Sequence, residues 1–234
     1  MTGTLLNVAA ILVGGTLGLL FGDRLPERIH KTVVAGLGLF VLAFGLYDFL
    51  KTQNPLIVLG GLLIGGLLGE WARLEDGLRR LGELLEKRFA GREAGSGRFV
   101  RGFLAASLVF CVGPIAILGS IQDGMTGDYK MLAIKSVLDG FASLAFASSL
   151  GVGVLFSAGM ILVYQGSISL LAAQLNALVT PAMTAEMTAA GGVMLIGIAI
   201  SSLLEIKPIR VASFLPALLI TPLIVAVLAV LGIK

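Results

Sequence analysis

The chain of 234 residues holds one histidine, one cysteine and one tryptophan, and only 13% of its residues are charged. His30 and Cys111 each stand alone, so neither a histidine–cysteine metal cluster nor an internal disulfide can be assembled. Cys111 sits inside an apolar run, where a free thiol behaves as a small buried hydrophobe. No phosphate-binding G-x-x-x-x-G-K-[ST] pattern occurs, which argues against ATP-driven work by this chain. No G-x-S-x-G elbow occurs either, which argues against a Ser–His hydrolase. Neither catalysis, a cofactor nor a bound metal is expected.

The shortage of charge also excludes a soluble fold, because a water-facing domain carries about 25% charged residues. Hydrophobic residues make up 57%, mean hydropathy is +1.00, and runs long enough to cross a hydrocarbon core of about 30 Å recur throughout. These runs are apolar on every side and lack the alternation of barrel strands, so the expected fold is all-α: a polytopic helix bundle. The first run, Leu5 to Phe21, has no basic segment ahead of it and more spans behind it, so it reads as a retained helix rather than a signal peptide. The net charge of +3 fits basic loops beside anionic lipid, and nucleic acid is not an expected partner.

Eight spans are expected within a single membrane domain, at about 4–21, 32–50, 56–72, 99–121, 130–150, 152–177, 188–204 and 211–232. Span one carries Gly14, Gly18 and Gly22, and span three carries Gly61, Gly65 and Gly69, a spacing that lets helices approach closely within one subunit or between copies in a homo-oligomer. ILVGGTLG (11–18) matches LLIGGLLG (62–69), so residues 4–72 form a candidate internal repeat. Residues 73–98 change character. Leu74, Leu78, Leu81, Leu84 and Leu85 recur at helical spacing among Arg73, Arg79, Arg80, Lys87, Arg88, Arg92 and Arg98, which predicts an amphipathic surface helix with a linker at 91–97. His30 is read in a polar loop, Glu186 in the loop before span seven, and Pro208-Ile209-Arg210 as a topological anchor with a lipid head-group contact as the alternative.

Lysine and arginine concentrate in the loops after spans one, three and seven. That predicts both termini outside a bacterial inner membrane and the amphipathic helix on the cytoplasmic side. The small-residue segment 148–153 leaves two readings open, a true loop or a re-entrant turn.

Residues 99–232 hold the candidate site. Gly113-Pro114 should break span four, and GSIQDGMTGD (119–128) reads as a glycine-rich break carrying Gln122, Asp123 and Asp128. Transporters build ion and substrate sites from such broken helices. Lys135, Asp139 and Ser143 follow at intervals of four and share one helix face. Charge at that depth costs about 2.5–3.5 kcal/mol, so it usually faces protein or a wet cavity. Asp139 is read as the titrating or cation-coordinating group and Lys135 as its partner or an anion contact, with Ser136, Ser143 and Gln165 supplying neutral hydrogen bonds. An intrahelical ion pair without a ligand is the plain alternative.

The segments GPIAILGSIQDGMTGD and KSVLDGFASLAFASSLGVGVLFSA resemble the bacterial inner-membrane family of unknown function that includes YqgA and YdfK. GTLLNVAAILVGGTLGLLFGDRLPERI and IKPIRVASFLPALL fit the same pattern, so the resemblance covers nearly the whole chain. It implies a multi-helix integral membrane protein, often labelled a transporter, and brings no substrate or site residue with it. KSVLDGFASLAFA is also similar to the Asp-plus-small-residue pattern of small manganese and amino-acid exporters. The expectation is therefore a secondary transporter or permease for a small ion or solute, with its site between spans four, five and six. The alternative is a non-transporting scaffold or regulator acting through the basic helix. An intramembrane enzyme acting on lipid ranks last, because no nucleophile and base are within evident reach.

Overall fold

The computed structural model describes residues 1–22, 26–89, 97–176 and 178–232, and among these the regular elements are all helical. Arg24, Arg92 and all of the expected 91–97 linker except Gly97 lie outside the described residues. The order is α1 (Thr2–Gly22), α2 (Glu27–Phe49), α3 (Pro55–Trp71), α4 (Leu74–Phe89), α5 (Arg98–Cys111), α6 (Pro114–Thr126) and α7 (Lys130–Leu150). A short 3-10 turn (Val152–Phe156) leads into α8 (Ser157–Leu170), followed by α9 (Ala172–Asn176), α10 (Pro181–Ile198) and α11 (Ala217–Val230).

Six of the described helical segments are long and apolar enough to cross a membrane. Two bent pairs reach the same length: α3 with α4, bent by 55°, and α5 with α6, bent by 62°. The second bend falls at Gly113-Pro114, where proline cannot donate to the preceding turn. The first passes through Arg73, whose φ of 53° is left-handed and strained for a side chain other than glycine.

The bundle exposes large apolar side chains and holds polar ones inside, beside an apolar core. Leu56, Leu67, Phe141, Leu219 and Val230 are more than two-thirds exposed, whereas Asn7, Ser143, Gln165 and Thr221 are fully buried. In water this arrangement would collapse; in lipid it is the one that satisfies polar groups internally. The protein is thus a polytopic α-helical membrane protein.

Glycine sets the closest contacts. A Cβ on Gly14, Gly18 or Gly22 would collide with the Gly140, Leu144 or Ser148 carbonyl of α7. On α3, Gly61, Gly65 and Gly69 meet Thr221, Ala217 and Ser213 in the same way. The two matched stripes therefore do the same work against different partners, α7 running parallel to α1 and the 213–221 segment running antiparallel to α3.

These pairings also fix relative directions. Gly15 of α1 faces Leu155 while Gly166 of α8 faces Met1, so α8 runs opposite to α1 and hence to α7. The chain reverses fully at Gly151 (φ 82°), making 148–153 a true connection between two full-length helices. Gly38 and Gly45 of α2 face Leu204 and Ile196, again antiparallel. Each of these relations is the one that eight alternating spans require.

Four boundaries differ from the expected ones. Span six ends at Leu170 instead of 177, with α9 set off after Leu171. α2 begins at Glu27, which puts His30 in its first turns rather than in a loop. Glu186 lies within α10, because Thr180 caps that helix by accepting from Met183 N at 3.2 Å and Pro181 occupies the first turn. The 119–128 segment is mostly helix, not a break: α6 continues to Thr126 and ends at Gly127, with φ 72°. Its internal glycines serve packing, with Gly119 against Leu132 and Gly124 against the Ser169 carbonyl.

α4 is the expected amphipathic helix, with a divided apolar stripe. Leu78 and Leu85 pack toward Phe99 and Phe103 of α5, while Leu81 and Leu84 stay exposed. Arg210 pairs with Glu70 at 3.0 Å and Asp76 at 2.7 Å, and Ser213 Oγ donates to Glu70 at 2.8 Å. The start of the last span is thereby clamped to the α3–α4 bend. The hydrogen bond to Asp76 holds the Arg210 guanidinium above its usual range, so this anchor keeps its charge.

Replacing Gly18 with Val should lower the melting temperature steeply and broaden the size-exclusion profile, since overpacking costs about 1–3 kcal/mol even where neighbours can shift. Gly36→Ala, where nothing lies within 4 Å, should leave both unchanged.

Candidate functional site

The buried face of α1 runs Gly3, Asn7, Ile11, Gly14, Gly18, Gly22, a spacing of three and four along one stripe. The glycines bring α1 against α7 so closely that the one amide on this stripe reaches across. Asn7 Nδ2 donates to Asp139 Oδ2 at 2.9 Å and, more weakly, to Gln165 Oε1 at 3.4 Å. Lys135 Nζ bonds the same Asp139 oxygen. Both ionic side chains are about nine-tenths buried.

Three helices therefore converge on one polar centre: α1 with Asn7, α7 with Lys135 and Asp139, and α8 with Gln165. Ser143 sits one turn further along α7, but its hydroxyl donates to the Ile11 carbonyl at 2.8 Å and so ties the two helices together. Ser136 donates to Leu132 of its own helix at 2.7 Å. Both hydroxyl protons are already engaged.

Several atoms around this centre have no partner. Asn7 Oδ1, Gln165 Nε2 and Thr4 Oγ1 are buried and make no hydrogen bond among the described residues. An orphaned polar atom in a nonpolar interior costs about 1–3 kcal/mol, so such groups normally hold water or a ligand. One of these atoms is an acceptor and one a donor, and the third can be either. Asp139 already carries Lys135 against it, so the centre is close to neutral overall. Among the described residues, no three His, Cys, Asp or Glu side chains converge in a way that could hold a metal.

Asp123 forms a second buried centre, near the N-terminal end of α1. Its Oδ2 accepts from Gly3 N at 3.0 Å and lies 3.1 Å from the amino group of Met1, while Oδ1 has no partner among the described residues. Gln122 turns away and donates to Asp128 at 3.4 Å beside a separate recess of about 410 Å³. Of the residues read from the sequence, Lys135, Asp139 and Gln165 come together, Ser136 and Ser143 flank them, and Asp123 and Gln122 lie elsewhere. Span one rather than span four supplies the third wall.

Two residues were not anticipated. Asn7 is one amide within an apolar run, and its pairing partner lies 132 positions away. Only its place on the glycine stripe signals it. Glu186, 2% exposed, accepts from Thr52 Oγ1 at 2.5 Å, Gln53 N at 2.7 Å and Asn54 N at 3.0 Å, and so locks the α2–α3 turn onto α10. Thr180-Pro181 as a helix start is the signal that would have placed it inside a helix.

The chain is thus a helical membrane bundle with a buried ion pair, and it belongs to a known family. The family described as "Protein of unknown function (DUF554)" matches residues 2–226. The chain is 36% identical over 221 residues to the "Uncharacterized protein YqgA" of Escherichia coli (strain K12), covering 93% of each. It is 29% identical over 238 residues to the "Uncharacterized membrane protein YdfK" of Bacillus subtilis (strain 168), covering all of both. No solved structure matches.

Lys135→Met should destabilise the protein by about 3–5 kcal/mol, because it leaves Asp139 buried without its counter-charge. Adding Asp139→Leu should recover most of that loss, as read by denaturant or thermal unfolding. Glu186→Ala should cost about 2–3 kcal/mol in the same assay, because it strips three donors of one charged acceptor.

Proposed function

We propose that the protein is a secondary transporter or permease for a small ion or solute, working through the centre formed by Asn7, Lys135, Asp139 and Gln165. The observation that carries this reading is the ion pair buried among three spans with unpartnered amide and hydroxyl atoms on the same walls. A pair serving stability alone gains little over apolar packing of the same volume. Nor does such a pair call for open donors and acceptors beside it. Asp139 takes up the proton or cation, Lys135 holds its charge in the empty state, and Asn7 and Gln165 supply the neutral ligands. The basic loops support a bacterial inner-membrane placement with both termini outside.

The test is thermal stability against a panel of ions, amino acids and organic acids across pH, with wild type and Asp139→Asn side by side. A ligand at about 100 times its Kd stabilises by about 2.7 kcal/mol, which is about 5–10 °C for a chain of this size. At least one ligand should produce such a shift in wild type and none in Asp139→Asn. A shift that survives in the mutant, or no shift at all, would contradict this reading. Function lost on neutralising Arg79, Arg80, Lys87 and Arg88 but kept in Asp139→Asn would favour a regulator acting through α4.

A further inference from the structure

A cleft of about 660 Å³ opens between α4, the start of α5 and the segment that follows α10. Four carboxylates and four cationic side chains line it, so it carries no net charge. Most of these groups already have partners. Arg210 holds Asp76 and Glu70, Glu75 accepts from the Ala212 amide at 2.8 Å, Arg79 faces Glu83 at 3.9 Å, and Arg101 pairs through Nη1 with Glu205.

Two buried atoms have none among the described residues. Glu86 is 9% exposed, and its Oε1 makes no hydrogen bond; Arg101 Nε is buried and equally unpartnered. Glu86 occupies the inward face of α4, one turn beyond Gly82, which packs against Val100 and Phe103. A carboxylate there, on the apolar side of an amphipathic helix, costs stability unless a cation meets it. Lys87, next along α4, is exposed at the rim with no ion pair among the described residues.

The chain between Ala199 and Leu203 is π-helical, a rare local form that recurs at functional sites, and it presents Ser201 and Ser202 to the same cleft. Exposed apolar side chains near the cleft are of the kind that anchor at a membrane interface. Trp71 at the end of α3 is 85% exposed, and on α4, which forms one wall, Leu84 is 64% and Phe89 53% exposed.

We infer that this cleft binds a zwitterionic head group with a primary ammonium and a phosphate, as in phosphatidylethanolamine. The ammonium meets Glu86, and the phosphate meets Arg101 and Lys87. Glu86 Oε1 and Arg101 Nε, each without a hydrogen-bond partner among the described residues, line one cleft and together suit a ligand carrying both charges, and the neutral lining gives an anionic lipid no advantage. This assignment concerns a site distinct from the Asp139 centre and stands apart from the transport reading.

The test titrates detergent-purified protein with short-chain phosphatidylethanolamine, phosphatidylcholine and phosphatidylglycerol, and with free phosphoethanolamine, reading the melting temperature. Phosphatidylethanolamine should half-saturate at a concentration about tenfold below the other two lipids, the worth of one charge-assisted hydrogen bond that a trimethylated ammonium cannot make. Glu86→Gln should erase the preference over phosphatidylcholine. Lys87→Gln, at an exposed position that folding does not depend on, should weaken both lipids and preserve their ratio. Equal potency of all three lipids in wild type, or a preference surviving in Glu86→Gln, overturns the site; if Glu86→Gln does not fold, Lys87→Gln decides, and unchanged titrations overturn it. Free phosphoethanolamine saturating at the same concentration as the lipid overturns the membrane source.

Discussion

The contact between α1 and α7 comes first physically, because lipid gives two apolar helices no hydrophobic reason to associate. What draws these two together is backbone lying on backbone, possible only where Gly14, Gly18 and Gly22 leave room for the carbonyls of α7. Once the helices are that close, Ser143 can reach the Ile11 carbonyl and Asn7 can reach Asp139. The polar centre therefore follows from the glycine stripe. A side chain at Gly14, Gly18 or Gly22 would push α1 away from α7 and draw Asn7 off Asp139.

The same constraint explains where charge sits elsewhere. Glu186 is buried, yet three donors from the α2–α3 turn surround it, so it reads as a structural clasp with its capacity filled. Arg210 is likewise occupied by Glu70 and Asp76. The Asp139 centre and the Glu86 cleft differ from these because each combines a buried charge with atoms left open. Satisfied networks hold the bundle together; unsatisfied ones mark where something else belongs.

Much of the architecture was legible beforehand. Hydropathy marked the spans, and their alternation agrees with every helix direction fixed by glycine contacts. The shared face of Lys135, Asp139 and Ser143 was readable because spacing within one helix is geometry. Asn7 was not, since nothing local announces a partner 132 residues away. Glycine misled in the other direction. Gly119 and Gly124 look like helix breakers but are close-packing positions, while Gly127 and Gly151, with left-handed φ, make the actual turns. Periodicity reports faces, and only the assembled bundle reports which faces meet.

The central claim is that the Asn7–Asp139 seam is a wet site rather than a dry structural pair. Thiol labelling tests it most directly: single cysteines at Thr4, Gln165 and Ile198 in a Cys111→Ala background, treated with a small hydrophilic thiol reagent. All three positions are fully buried in the structure, and Ile198 lies in the apolar core on α10. The account predicts labelling at positions 4 and 165 many times faster than at 198, because water and solutes reach the seam. Equal and negligible labelling at all three would contradict it and leave the pair as packing alone.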